Sequence, residues 1–264
     1  MFLTTVAKLL KITYHIKKHS LLGAMEYKFS FISRILGMLI NDILLISIWT
    51  IFFARFPTVN GWTYIDTIQV MAISVTSFSL VHIIVPGTNR LSEEITKGNL
   101  DYYLTFPQSV LWHVIVMGID ISTIGDLLFG IFLVAWYVPV SGIPLFLVAI
   151  ISATLIMFAV LLIYHSLTFY LGKFEEAAAQ GQEAILSTGM YPQTAFKGVL
   201  KIALMTVVPA FFVNTLPQRM FANFTWSDLG FLLAVVVLLN TIAITLFYRG
   251  LKRYESGNMF QVRI

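Results

Sequence analysis

The chain has no cysteine and few charged residues. Without cysteine it forms no disulfide and no thiolate metal site. Charged residues make up 11% of its 264 positions, whereas a soluble domain carries roughly 25%. No short apolar run ending in small residues follows the N-terminal lysines, so a cleaved signal peptide is not expected. A soluble globular enzyme is therefore the first class that the composition excludes.

Motifs for catalysis and for nucleotide binding are also missing. The sequence contains no G-x-x-x-x-G-K-[ST] phosphate loop, no H-E-x-x-H and no G-x-S-x-G. The histidines are scattered, and His82 and His165 are expected to be interfacial or hydrogen-bonded core residues. We expect no catalytic residue, no metal site and no cofactor in this chain.

Apolar runs dominate what is present. Hydrophobic residues make up 58% of the chain, and several runs reach the roughly 20 residues that cross a bilayer core. The sequence predicts an all-α polytopic membrane protein with six transmembrane helices. They span about 31–53, 65–85, 119–138, 145–171, 198–216 and 229–248, between an N-terminal segment 1–30 and a tail 249–264. The third span is counted back from Pro139 to near Asp120, because a start after Asp126 leaves it too short.

Basic residues orient these spans. Fourteen lysines and arginines fall on the side of the two termini, and only Arg55 and Arg219 fall on the other, with Arg34 at the inner edge of the first span. Cytoplasmic loops carry such an excess. The bias predicts that both termini are cytoplasmic, in a bacterial inner (plasma) membrane.

The segment 4–22 has apolar residues at helical spacing and lysines largely elsewhere around the helix. This pattern is typical of an amphipathic helix at the inner membrane surface, where lysines meet anionic lipid. The alternative is a solvated helix that packs on the protein's own loops.

Three of the acids within the predicted spans are candidates for a functional or a structural role. Asp42, preceded by Asn41, lies midway along the first span, Asp126 lies inside the third, and Asp120 lies nearer the cytoplasmic edge. An ionised group in hydrocarbon costs at least about 2.5–3.5 kcal/mol, so such residues usually face protein or water. Asn41, Asp42 and Asp126 are candidates for a translocation path. The alternative is that these acids are structural, through a helix-to-helix hydrogen bond or as protonated acids buried in the bundle. For Asp120 we favour the structural role.

One polar stretch, "SEEITKGNLDYYLTFPQS" (residues 92–109), separates the second span from the third; we call residues 86–109 the central loop. Asn89 or Ser92 is placed to cap a short helix, Glu93 and Lys97 form an i,i+4 pair, and Gly98 is placed to end the helix. An apolar anchor is predicted to follow, formed by Leu100, Tyr103 and Leu104. A mere connector needs none of these features, so the central loop is predicted to contact a partner.

Residues 93–107, "EEITKGNLDYYLTFP", resemble the cytoplasmic motif of type 2 ABC (ATP-binding cassette) permeases, approximately R-x-I-x-x-G-x-L-D-x-x-L-L-R-P. The matching positions are Ile95, Gly98, Leu100, Asp101, Leu104 and Pro107. The stretches "YPQTAFKGVLK" (191–201) and "VVPAFFVNTLP" (207–217) are similar to two further family motifs. Glu93, Thr105 and Phe106 depart from the pattern, which puts any ion pair made there by the family in doubt.

The resemblance implies an exporter-like half-transporter without enzymatic activity of its own. Two six-span subunits, identical or paralogous, would pair with each other and with two cytoplasmic ABC ATPases that hold ATP and Mg²⁺. Membrane lipid would surround them, and no nucleic acid is expected. The segment after the fifth span would form short re-entrant helices on the outer side. The ATPase-coupling loop would be formed by Arg90, Ser92, Glu93, Glu94, Ile95, Lys97, Gly98 and Asp101.

Two other function classes remain open. A secondary transporter usually shows internal repeats with broken spans in both halves, and no clear repeat is present, although Pro209 interrupts one span. A membrane enzyme needs a convergent polar cluster, which the sequence does not indicate. A neighbouring gene for a cassette ATPase would separate all three classes.

Overall fold

The structure is a computed structural model, and it describes residues 2–59, 61–107, 109–189, 198 and 209–254. These residues are largely helical, and no β-strand occurs among them. The α-helices are α1 Phe2–Met25, α2 Lys28–Arg55, α3 Tyr64–Ile84, α4 Leu91–Thr96, α5 Leu100–Leu104, α6 Val110–Val116, α7 Thr123–Tyr137, α8 Ile143–Ser166, α9 Thr168–Leu171, α10 Glu175–Gly189, α11 Leu216–Ala222 and α12 Trp226–Leu251. Pro86–Arg90 and Val140–Gly142 are 3₁₀ turns, and Phe211–Thr215 is a π-helical turn.

Four of the described helices are long and apolar enough to cross a membrane. They are α2, α3, α12 and the stretch Val140–Leu171 that contains α8. Helix α7 is apolar but has only 15 residues. The fold is thus the all-α polytopic membrane architecture that the sequence predicts.

Helices α3 and α8 form the centre of the bundle. In α3, 72% of the apolar stretch is buried, and in the α8 stretch 61%, against 6% in α2 and 17% in α12. Small residues allow the close packing: a Cβ added at Gly130 of α7 would lie 2.2 Å from Thr76 Oγ1 of α3. Small residues at such contacts are typical of helices that associate in membranes.

Successive long helices run in opposite directions, so the molecule has two distinct ends. At one end the Tyr64 hydroxyl lies 3.1 Å from Thr50 Oγ1 and 3.4 Å from the Tyr137 hydroxyl, which joins the end of α2, the start of α3 and the end of α7. We call this the tryptophan end, because Trp62, Trp136 and Trp226 also lie there. The other end carries the central loop and is called the loop end.

The predicted spans lie on the observed helices with differences at their limits. The stretches 31–53, 65–85, 145–171 and 229–248 fall on α2, α3, α8–α9 and α12. Helix α7 begins at Thr123, four residues after the predicted start of the third span, because residues 117–122 leave the helical path. The fifth span, 198–216, lies mostly outside the described residues. The number of membrane crossings stays a prediction.

Candidate functional site

The central loop contains the short helix that its sequence predicts. At the end of α4 the Lys97 ammonium donates to Glu93 Oε1, and this contact lowers the pKa of Glu93 and raises that of Lys97. Gly98 ends the helix with a positive φ of 75°. Its amide donates to Ile95 O and the next amide, of Asn99, donates to Glu94 O at 3.0 Å. These paired bonds satisfy the last carbonyls of the helix, and a side chain at Gly98 would strain them.

The predicted cap at the start of α4 is wrong. No side chain caps this helix, and Ser92 lies inside it with its side chain buried. Ser92 Oγ accepts from Thr168 Oγ1 at 2.9 Å and lies 2.8 Å from His165 Nδ1. The Ser92 hydroxyl proton is therefore available to His165. A buried hydrogen-bonded group resists displacement, so Ser92 fixes α4 to the end of α8.

The apolar anchor forms in part. Leu100 and Tyr103 are buried as predicted, together with Leu91 and Ile95, but Leu104 is 48% exposed and does not belong to the anchor. Burial of these side chains turns one face of α4 and α5 toward the bundle. Leu104 departs from the prediction because α5 packs against α6 and leaves this side chain on its exposed side.

The opposite face of the central loop is polar and open. Glu93 and Glu94 are half-buried, and Lys97, Asn99 and Tyr102 are exposed. A groove of about 480 Å³ runs along this face, lined by Glu94, Gly98, Asn99, Tyr102 and Tyr103. The Glu94 carboxylate forms no hydrogen bond or ion pair with another described residue. The groove therefore offers the negative charge of Glu94 and the exposed ring of Tyr102 to a partner.

Asp101 and Arg90, the remaining predicted loop residues, contact other segments. Burial and the nearby Asp101 carboxylate raise the pKa of Tyr254, just after α12, to about 12. Arg90 Nη2 donates to Met117 O at 2.9 Å, in the non-helical segment before α7. Lys17 of α1 donates to the carbonyls of Val116 and Gly118, at 2.9 and 2.8 Å. Sequence reasoning missed these long-range contacts, and no local pattern marks them.

The intramembrane acids are brought together only in part. Asp42 and Asp126 are buried where α2 meets α7, close enough to interact electrostatically. The Asp126 carboxyl can hydrogen-bond to that of Asp42 when one of the two acids is protonated. Asn41 is exposed and points elsewhere. Asp120 Oδ1 accepts from the Ser122 amide and hydroxyl, at 3.1 and 2.6 Å, so this acid has a local structural contact.

Comparison with known families agrees with this architecture. The sequence pattern described as "ABC-2 family transporter protein" matches residues 36–257, most of the chain. Comparison with curated proteins and with solved structures finds no match. The matched stretch includes the central loop, α7, α8 and α12. The chain therefore belongs to the ABC-2 family of transporter proteins.

Proposed function

We propose that this chain is the membrane subunit of an ABC exporter and that a separate cytoplasmic ATPase docks on the outward face of the central loop. One observation carries the proposal: α4 buries Leu91, Ser92 and Ile95 against the bundle while the groove beside Glu94 stays open. A helix that is fixed on one face and free on the other transmits a push from a partner into α8.

Membership in the family supports a proposal for the complete assembly. Two copies of the ATPase bind ATP and Mg²⁺. Both termini of this chain lie in the cytoplasm, beneath a bacterial inner membrane. Asn41, Asp42 and Asp126 are the candidate path residues, of which Asp42 and Asp126 adjoin each other. We expect a gene for a cassette ATPase next to the gene for this permease.

Reversal of the groove charge tests the docking face. Glu94→Lys should lower co-purification with the co-expressed neighbouring ATPase by more than tenfold, because an unpaired charge buried at an interface costs about 2–5 kcal/mol and about 1.4 kcal/mol is tenfold. The matched control is Glu26→Lys, the same change at an exposed site outside the central loop. Unchanged ATPase recovery with Glu94→Lys, in a correctly inserted permease, would contradict the docking face.

A second permease subunit, identical or paralogous, completes the proposed complex. Helix α2 supports this, because large apolar side chains remain exposed along it: Ile32, Leu36, Ile40, Ile43, Leu44, Ile48 and Ile51. Single cysteines at Ile40 and Ile48 should crosslink two copies, while a cysteine at the equally exposed Val237 of α12 should not. A purified complex with one permease per two ATPases would exclude the pairing.

A further inference from the structure

A polar cavity of about 360 Å³ opens at the loop end, beside the base of α2. Its walls are formed by Arg34, His82, Pro86, Asn89, Arg90, Gly118, Ile119 and Asp120. A second cavity of about 170 Å³ shares Arg34 and is lined by Ala24, Tyr27, Ser30, Phe31 and Ile121, at the elbow between α1 and α2. Arg34 thus lies between the larger, polar cavity and the smaller, more apolar one.

The charges of the larger cavity favour an anion. Arg34 is exposed and forms no hydrogen bond or ion pair with any described residue. Arg90 uses Nη2 for Met117 O, which leaves its other donors free. The single acid, Asp120, already accepts two bonds from Ser122. The guanidinium groups of Arg34 and Arg90 therefore face a single carboxylate, that of Asp120, which is already hydrogen-bonded.

Lys17 adds to this positive balance, and it donates to the Gly118 carbonyl behind the cavity wall. Burial, and to a smaller extent the Arg90 charge, lowers the pKa of Lys17 from 10.5 to about 8, so this side chain remains mostly cationic at pH 7. His82 has a contact at each ring nitrogen, to Phe78 O at 2.8 Å and to Gln182 Nε2 at 3.1 Å. A ring that donates to Phe78 and accepts from Gln182 is neutral.

We propose that this cavity binds the phosphate-bearing headgroup of an anionic amphiphile, which the Arg34 and Arg90 side chains hold while its chain leaves past Phe31 and Ile121. Arginine suits this task because its planar donors match phosphate oxygens in pairs. The second cavity, at the base of α2, gives the apolar part a route out of the larger cavity.

This proposal does not rest on the ATPase-docking face, so it is tested on the purified full-length permease alone. The probes are phosphatidic acid, phosphatidylcholine with the same acyl chains, and inorganic phosphate, with retained lipid counted by native mass spectrometry. We expect preferential retention of phosphatidic acid that millimolar inorganic phosphate does not reverse. Equal retention of the two lipids would overturn the proposal, and efficient displacement by inorganic phosphate would assign the cavity to a soluble oxyanion instead.

Variants locate the binding to this cavity. Arg34→Gln should weaken retention of phosphatidic acid by roughly tenfold or more, as expected for loss of hydrogen bonds to a charged group. Arg34→Lys should retain an intermediate amount, because it keeps the charge and loses the paired donors. Arg55→Gln, at the other end of the same helix, is the matched control. Arg90→Gln provides an independent second variant. Wild-type retention in both glutamine variants, or equal loss in the Arg55 control, would refute the site.

Discussion

At the two ends of the molecule, polar contacts hold different segments together. At the tryptophan end local caps begin the helices: Thr63 and Asp66 cap α3 within three residues, and Thr225 caps α12 through the Asp228 amide at 3.0 Å. Two contacts there join distant segments, Tyr64 with the Tyr137 hydroxyl and Gln218 Nε2 with Asp66 Oδ1. At the loop end the long-range contacts include the central loop. Ser92 meets His165, 73 residues away, and Ser109 meets the Tyr248 hydroxyl, 139 residues away, at 2.8 Å.

The two ends differ in which segments they tie together: the loop-end contacts include the central loop, where we propose that the ATPase docks. A local cap stabilises one helix and transmits nothing to its neighbours. A long-range buried bond makes two segments shift together, because breaking it leaves a polar group unsatisfied at a cost of about 1–3 kcal/mol. The loop end ties α1, the central loop, α8 and α12 to one another. Force applied to α4 is therefore expected to reach the core of the bundle.

The largest effect is expected from Ile95→Pro. Proline removes the backbone donor of α4 and clashes with the preceding turn, at roughly 3 kcal/mol. The permease should still insert in the membrane, because α4 is a loop helix, while ATPase association falls by more than tenfold. Ile95→Ala, which keeps the helix and loses only packing, should have a milder effect. Full ATPase recovery with the proline variant, measured by co-purification, would show that α4 is only a connector.

A smaller effect is expected from Ser92→Ala. This change removes the bond to His165 without disturbing the outward face, so the ATPase should still bind, but its stimulation by the permease should fall several-fold. The control at the other end is Gln218→Met, which breaks the 2.7 Å bond from Gln218 Nε2 to Asp66 Oδ1. That variant should lower thermal stability and leave stimulation unchanged. Equal losses of stimulation in the two variants would remove the distinction between the ends.

Local features of the loop end were predictable from the sequence, and long-range ones were not. The Glu93–Lys97 pair and the end of α4 at Gly98 depend on residues within one helical turn, so spacing predicts them. The partner of Ser92 depends on how α8 packs against the loop, which no spacing reveals. The late start of α7 also depends on long-range contacts, because Lys17 and Arg90 donate to the carbonyls of the preceding segment.

Packing against distant helices also decides which apolar residues are buried. Mean hydropathy is higher in α2 than in α3, at 2.1 against 1.7, yet α3 is the buried helix. Serines and threonines at positions such as Ser77 and Ser79 of α3 permit close helix contacts, whereas α2 carries bulky side chains outward. Composition alone therefore predicts a membrane helix but not its place in the bundle.

The central claim is that the ATPase docks on the loop end, and photo-crosslinking from each end tests it most directly. The chain has no cysteine, so single cysteines at Asn99 in the groove and at Asn223 of the tryptophan end, both exposed asparagines, carry a benzophenone each. With the neighbouring cassette ATPase present, irradiation should give a permease–ATPase adduct from Asn99 and none from Asn223. Adducts from Asn223 alone, or equal adducts from both sites, would contradict the proposed docking face.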